Sequence, residues 1–181
     1  MGQITKMGAG LAYNHKYYIN NEQFDDHRLT NPVFLFTGIY EVSLPFHISP
    51  TFNIFFPNVT KFEDIGYTTK YVSSGYTLDI DGHYVFNSLD RFELYGLAGL
   101  NILYARRKYV EDFGDGDPFK EVTRFSSLGF NIGAGSYIKV KEQFDLFVEL
   151  KAIIATQIQV MGSAGILINI DWLKKNQDPG I

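Results

Sequence analysis

Asp79 and Asp81 stand two residues apart in "TLDIDGH", and Glu149 and Lys151 two apart in "FVELKA". In extended chain this spacing puts each pair on one face. Lys6, Glu41, Glu93, Lys139, Asp171 and Arg107 fall on the same polar face of their own segments. If these segments close into a barrel with that face inward, the charges must be paired or wet. The first chemistry open to them is a hydrogen-bonded ionic plug, with Glu149 meeting Lys151 or Arg107. The second is a water-filled, gated path whose carboxylates favour cations. Asp79, Asp81, Lys6, Glu41, Glu93, Lys139 and Asp171 are expected towards one end of such a lumen, and Glu149, Lys151 and Arg107 higher up.

Little else in the chain suggests reactivity. His15, His27, His47 and His83 lack any metal-ligand spacing such as H-E-x-x-H, and His27 lies in "DDHR", a polar stretch that reads as solvated loop. "FGDGDPF" offers Asp115 and Asp117 but not the remaining ligands of a calcium loop. With no cysteine there is no disulfide, thiolate metal site or Cys nucleophile. No catalytic residue, metal site or cofactor is expected, and the chain is read as a non-enzyme.

The 181 residues carry a net charge of −4, and no basic stripe of the kind that neutralises phosphate backbones is evident, which argues against nucleic acid. Aromatic content is 16%, with 12 Tyr and 16 Phe against one Trp, while mean hydropathy is only −0.08. That combination suits strands whose two faces differ. No run approaches the ~20 apolar residues of a spanning helix.

Period-2 alternation recurs throughout, without helix-period stretches. Eight strands are expected, at 3–14, 33–44, 47–57, 68–86, 91–110, 122–140, 143–157 and 159–172. Their connections alternate in length. "LPFH", "NSLD" and "KEQ" are tight, whereas residues 15–32, 58–67 and 111–121 read as long polar loops. Short turns at one end and long loops at the other describe a bacterial transmembrane barrel.

A soluble lipocalin-like barrel would place the apolar face inside and the ionisable face in water. The polar face here is dominated by Gly, Ser, Thr and Asn with isolated charges, a poor solvent coat and a good packed lumen. Gly129, Gly133 and Gly135 then point inward, making room for Tyr95, Tyr137 and Phe147. Phe46, Phe86, Phe92, Phe144 and Trp172 near the short turns, and Tyr13, Tyr67, Tyr71, Tyr104 and Tyr109 near the loops, form two expected girdles.

Segments "LYGLAGLNILY", "SLGFNIGAGSYIKV", "FDLFVELKA" and "GSAGILINI" resemble the glycine and aromatic pattern of small outer-membrane β-barrel domains, the group holding opacity-type proteins and the OmpA membrane domain. The resemblance implies an all-β fold, an eight-stranded antiparallel up-and-down transmembrane barrel, in a bacterial outer membrane after removal of a secretion leader. Members serve as adhesins, anchors, narrow channels or lipid-modifying enzymes, and no motif here matches the His and Ser pair of the last. Such barrels often end in an aromatic assembly signal, whereas this sequence runs on through "LKKNQDPGI", and Trp172, closing the last alternating strand, is the expected counterpart.

The chain is therefore expected to form one barrel domain over residues 1–173 with a tail at 174–181, acting as a monomer. Its expected partners are outer-membrane lipid, lipopolysaccharide and an extracellular surface partner, contacted through the loops. Tyr17, Tyr18 and Phe24 in the first loop are either its natural anchors or aromatics that pack over the barrel rim. A narrow channel is the alternative from another functional class.

Overall fold

The computed structural model describes residues 3–15, 32–64, 66–89, 91–114, 116–155 and 158–170. Eight strands run in chain order: β1 Gln3–His15, β2 Pro32–Ser43, β3 Phe46–Asp64, β4 Tyr67–Ser88, β5 Phe92–Asp112, β6 Phe119–Lys141, β7 Phe144–Ile154 and β8 Ile158–Asn169. Each pairs antiparallel with its sequence neighbour, and β1 closes the ring on β8 from Lys6↔Asn169 to His15↔Val160. Closure leaves no edge within the ring, so the backbone groups there are satisfied internally, as a membrane interior demands.

The alternation settles inside from outside. Leu128 is 67% exposed and Leu150 61%, while Asp79 and Asn131 are fully buried. The apolar face is the outer one, which rules out the lipocalin-like arrangement. Pro50 illustrates the cost of a ring without edges. The β2–β3 ladder breaks between Thr37↔Thr51 and Tyr40↔Ile48, resuming in the same register. Pro50, having no N–H to give, occupies the gap.

Packing inside depends on absent side chains. A Cβ on Gly133 would lie 2.7 Å from the Cα of Lys151, and one on Gly135 would strike the Tyr95 hydroxyl. Both glycines face the lumen, where these larger groups fill the space.

Two expectations are corrected. Residues 58–64, within the expected loop 58–67, are strand, and pairing runs on to Asp64↔Tyr67, with Gly66 at φ 88°. Likewise β5 and β6 pair as far as Glu111↔Phe119. Polar composition suggested loops, but cross-strand pairing along one face overrides it: Phe62 meets Tyr71, Tyr71 meets Tyr109, and Tyr109 meets Phe119, at centroid distances of 6.2, 5.0 and 6.3 Å. Tyr67, Tyr71 and Tyr109 therefore lie on the face continuous with the lumen and above the apolar band, not in an outer girdle. Outer aromatics at the loop end of the band include Tyr13, 58% exposed, and Tyr76 and Tyr104, stacked at 5.1 Å.

Consequently β3 to β6 continue past the ends of their flanking strands. The last β2–β3 pair is Val33↔Phe55, and the last β6–β7 pair is Phe130↔Ile154. Beyond them stands a four-stranded extension.

Candidate functional site: the charged lumen

Alternation along β4 aims Thr77, Asp79, Asp81 and His83 inward, and along β7 it aims Asp145, Phe147, Glu149, Lys151 and Ile153. Lys151 reaches across the interior. Its Nζ lies 2.7 Å from Asp79 Oδ2, 3.0 Å from Asp81 Oδ2 and 3.6 Å from Glu149 Oε1. The remaining carboxylate capacity is filled by amides. Asn53 Nδ2 donates to Asp79 Oδ2 at 2.9 Å, Asn101 Nδ2 donates to Asp79 Oδ1, and Asn131 Nδ2 donates to Asp81 Oδ1 at 2.8 Å. Each amide comes from a different strand, so the network ties β3, β4, β5, β6 and β7 together.

Towards the short turns an aromatic stack covers this cluster. The His83 ring lies on Tyr95 at 4.4 Å, and Tyr95 on Tyr137 at 4.5 Å. Tyr95 Oη donates to Glu149 Oε2 at 3.1 Å, and His83 Nδ1 shares a 2.6 Å hydrogen bond with Tyr137 Oη. The space left beside Thr37, Ser49, His83 and Glu149 is about 10 Å³, room for about one water.

Two further ion pairs occupy the short-turn end. Lys6 Nζ lies 2.7 Å from Asp145 Oδ2, and Lys139 Nζ lies 2.7 Å from Glu93 Oε1. They border an open vestibule of about 520 Å³. Glu41 stands opposite His47 in the β2–β3 ladder.

The two-tier arrangement expected from the sequence is thus corrected. Asp79 and Asp81 share a level with Glu149 and Lys151, because the tilt of barrel strands brings residues from different heights along the chain together. Arg107 belongs elsewhere: its guanidinium lies 5.3 Å from the Tyr71 ring centroid in the extension. Glu149 is bonded to Tyr95, and Arg107 stands twelve residues further along the same strand, about 40 Å of extended chain. The two do not meet. Asp171, Tyr17, Tyr18, Phe24 and Trp172 lie outside the described residues.

Alternation also marked Tyr95, Tyr137 and Phe147 as lumen residues, but His83, Asn53, Asn101, Asn131 and Asp145 were not foreseen as partners. Their inward parity was legible; which carboxylate or ammonium each would reach was not. Among the described residues no group of three or more His, Cys, Asp or Glu side chains is arranged to hold a metal.

An apolar exterior around a packed ionic interior defines a transmembrane β-barrel of the small, eight-stranded kind. No family model matches the chain, and no curated protein does. Solved structures do share its fold. The N-terminal β-barrel domain of Pseudomonas aeruginosa OprF matches with a TM-score of 0.55 at 15% identity, over 93% of this chain and 99% of that one. Ail, the attachment invasion locus protein of Yersinia pestis, in complex with the heparin analogue sucrose octasulfate, matches at 0.55 and 13%, covering 92% and 97%. CarO of Acinetobacter baumannii matches at 0.53 and 11%, covering 90% and 96%. At such identities the likeness establishes the fold, the one implied by the sequence resemblance.

Proposed function

We propose that this chain is an outer-membrane protein of a Gram-negative bacterium that acts without catalysis, as a closed barrel presenting its extension and connecting segments at the cell surface. The observation that carries the reading is Lys151. A lysine held by Asp79, Asp81 and Glu149, beside a cavity of about 10 Å³, acts as a seal in this reading, which leaves the outside as the working surface. The lumen residues, Lys6, Glu41, Glu93 and Lys139 included, serve stability in this account. Surface contact falls to the β3–β6 extension and to residues 16–31, where Tyr17, Tyr18 and Phe24 supply aromatic anchors. The neighbour Ail, a barrel of this fold, was solved in complex with a heparin analogue.

The test combines fractionation with bilayer recording. The protein is expected in the outer-membrane fraction, with heat-shifted gel mobility and no steady conductance in a planar bilayer. A detergent-free soluble monomer, or steady conductance from the unmodified barrel, overturns the reading.

A further inference from the structure

The extension has two faces, and register assigns each side chain to one. Continuing outward from Ile102 and Tyr104, β5 presents Arg106 and Lys108; the partners in register add Lys70 on β4, Lys61 on β3, and Lys120 and Arg124 on β6. Six of the 16 Lys and Arg residues of an acidic chain thus share one outer surface. The carboxylates placed there are Glu63, paired with Lys61, and Asp112, which accepts from Gly114 N at the tip. Six cations less two carboxylates leave this face at +4, although the chain as a whole carries −4.

The arrangement is costly without an anion. Arg106 stands directly opposite Arg124, and Lys61 directly opposite Lys70. Like charges in directly opposed positions repel, and among the described residues Lys70, Arg106 and Arg124 form no ion pair. Between the cations sit Val59, Val72, Val110 and Val122, so that aliphatic stems have apolar surface to lie along while the charged heads turn outward.

Position selects the ligand. The patch begins two residues beyond Tyr104, whose stack with Tyr76 marks the outer aromatic level, where such rings meet headgroups. It faces sideways, continuing the barrel wall, rather than into the rim.

From this placement we infer that the outer face of the β3–β6 extension binds the phosphate groups of lipopolysaccharide in the surrounding outer leaflet. The inference rests on the outer-membrane location proposed above and adds the binding site. Arg106 and Arg124 form the lower claw, nearest the apolar band. Lys61 and Lys70 form a second, higher on the neighbouring pair of strands.

The test uses the whole chain in phosphatidylcholine vesicles doped with phosphorylated lipid A or with dephosphorylated lipid A, and a third arm with soluble sucrose octasulfate. Retention of phosphorylated lipid A is expected, weakening with salt. R106Q/R124Q and K61Q/K70Q should each reduce it roughly tenfold or more, with heat-shifted mobility unchanged in plain phosphatidylcholine. Equal retention of the dephosphorylated lipid, or unaffected variants, overturns the site. Binding of the octasulfate without binding of lipid A overturns the lipid as its ligand. Failure of the chain to enter vesicles at all sinks the membrane reading and the site together, whereas insertion without phosphate dependence sinks the site alone.

Discussion

The Lys151 ammonium and the Asp79 carboxylate, 2.7 Å apart, join β7 to β4 through the interior although three steps around the wall separate the two strands. Both side chains are essentially excluded from solvent. A buried carboxylate stripped of its counter-charge is expensive, whereas a pair replaced together by apolar groups costs little. Lys151→Met should therefore destabilise the barrel by about 3–5 kcal/mol, and adding Asp79→Asn should recover part of that loss. Urea unfolding of vesicle-inserted protein reads both; a Lys151→Met barrel as stable as the original removes the lysine from any structural role.

The same residue is expected to govern permeation. Lys151→Ala deletes the cation and opens space beside Asp79, Asp81 and Glu149, all of which remain. A silent barrel should become weakly conducting and cation-selective in planar bilayers. If Lys151→Ala stays silent while folded, the seal lies instead at the stack of His83, Tyr95 and Tyr137.

Glycine positions separate packing from conformational freedom. At Gly133 a Cβ meets the backbone of Leu150 and Lys151, which cannot yield, while at outward-facing Gly82 it meets the Ala98 carbonyl oxygen at an ordinary 3.5 Å. Gly133→Ala should cost about 1–3 kcal/mol by overpacking, and Gly82→Ala should be close to neutral. Equal effects in heat-modifiability midpoints would show that chain flexibility, not space, is what these sites require.

In the extension, Tyr109 hydrogen-bonds Glu111, and that bond, with partial desolvation adding to it, pushes the phenol up to about 12 from an ordinary 10. The folded state thus favours the protonated phenol. Its stabilising contribution is complete below pH 10 and fades as pH rises towards 12. Absorbance titration should show a tyrosine component ionising near 12 that is lost in Tyr109→Phe and comes earlier in Glu111→Gln. A Glu111→Gln protein with an unchanged titration contradicts the assignment.

How much was legible in advance follows from what each inference needed. Inward parity of Asp79, Asp81, Glu149 and Lys151 needs only a period of two, which any strand obeys. Contact between Lys151 and Asp79, and the roles of Asn53, Asn101 and Asn131, depend on tilt and stagger around a closed ring, properties of eight strands jointly. Arg107 had the right parity and the wrong height. Residues 58–64 were read as loop from their polarity, because a sheet standing in water with a basic outer face lacks the apolar stripe that betrays a strand in lipid. The row from Phe62 to Phe119 that holds it together is split among four strands and invisible in any one of them.

The unequal strands have a consequence for the plane of the membrane. β4, β5 and β6 have 22, 21 and 23 residues, against 12 in β2 and 11 in β7. A barrel of equal staves would look alike from every compass point, but in these strands the added length rises on one flank. The molecule consequently has a heading: as it turns about the bilayer normal it sweeps a charged fin past its neighbours, and only one bearing brings that fin against any given one.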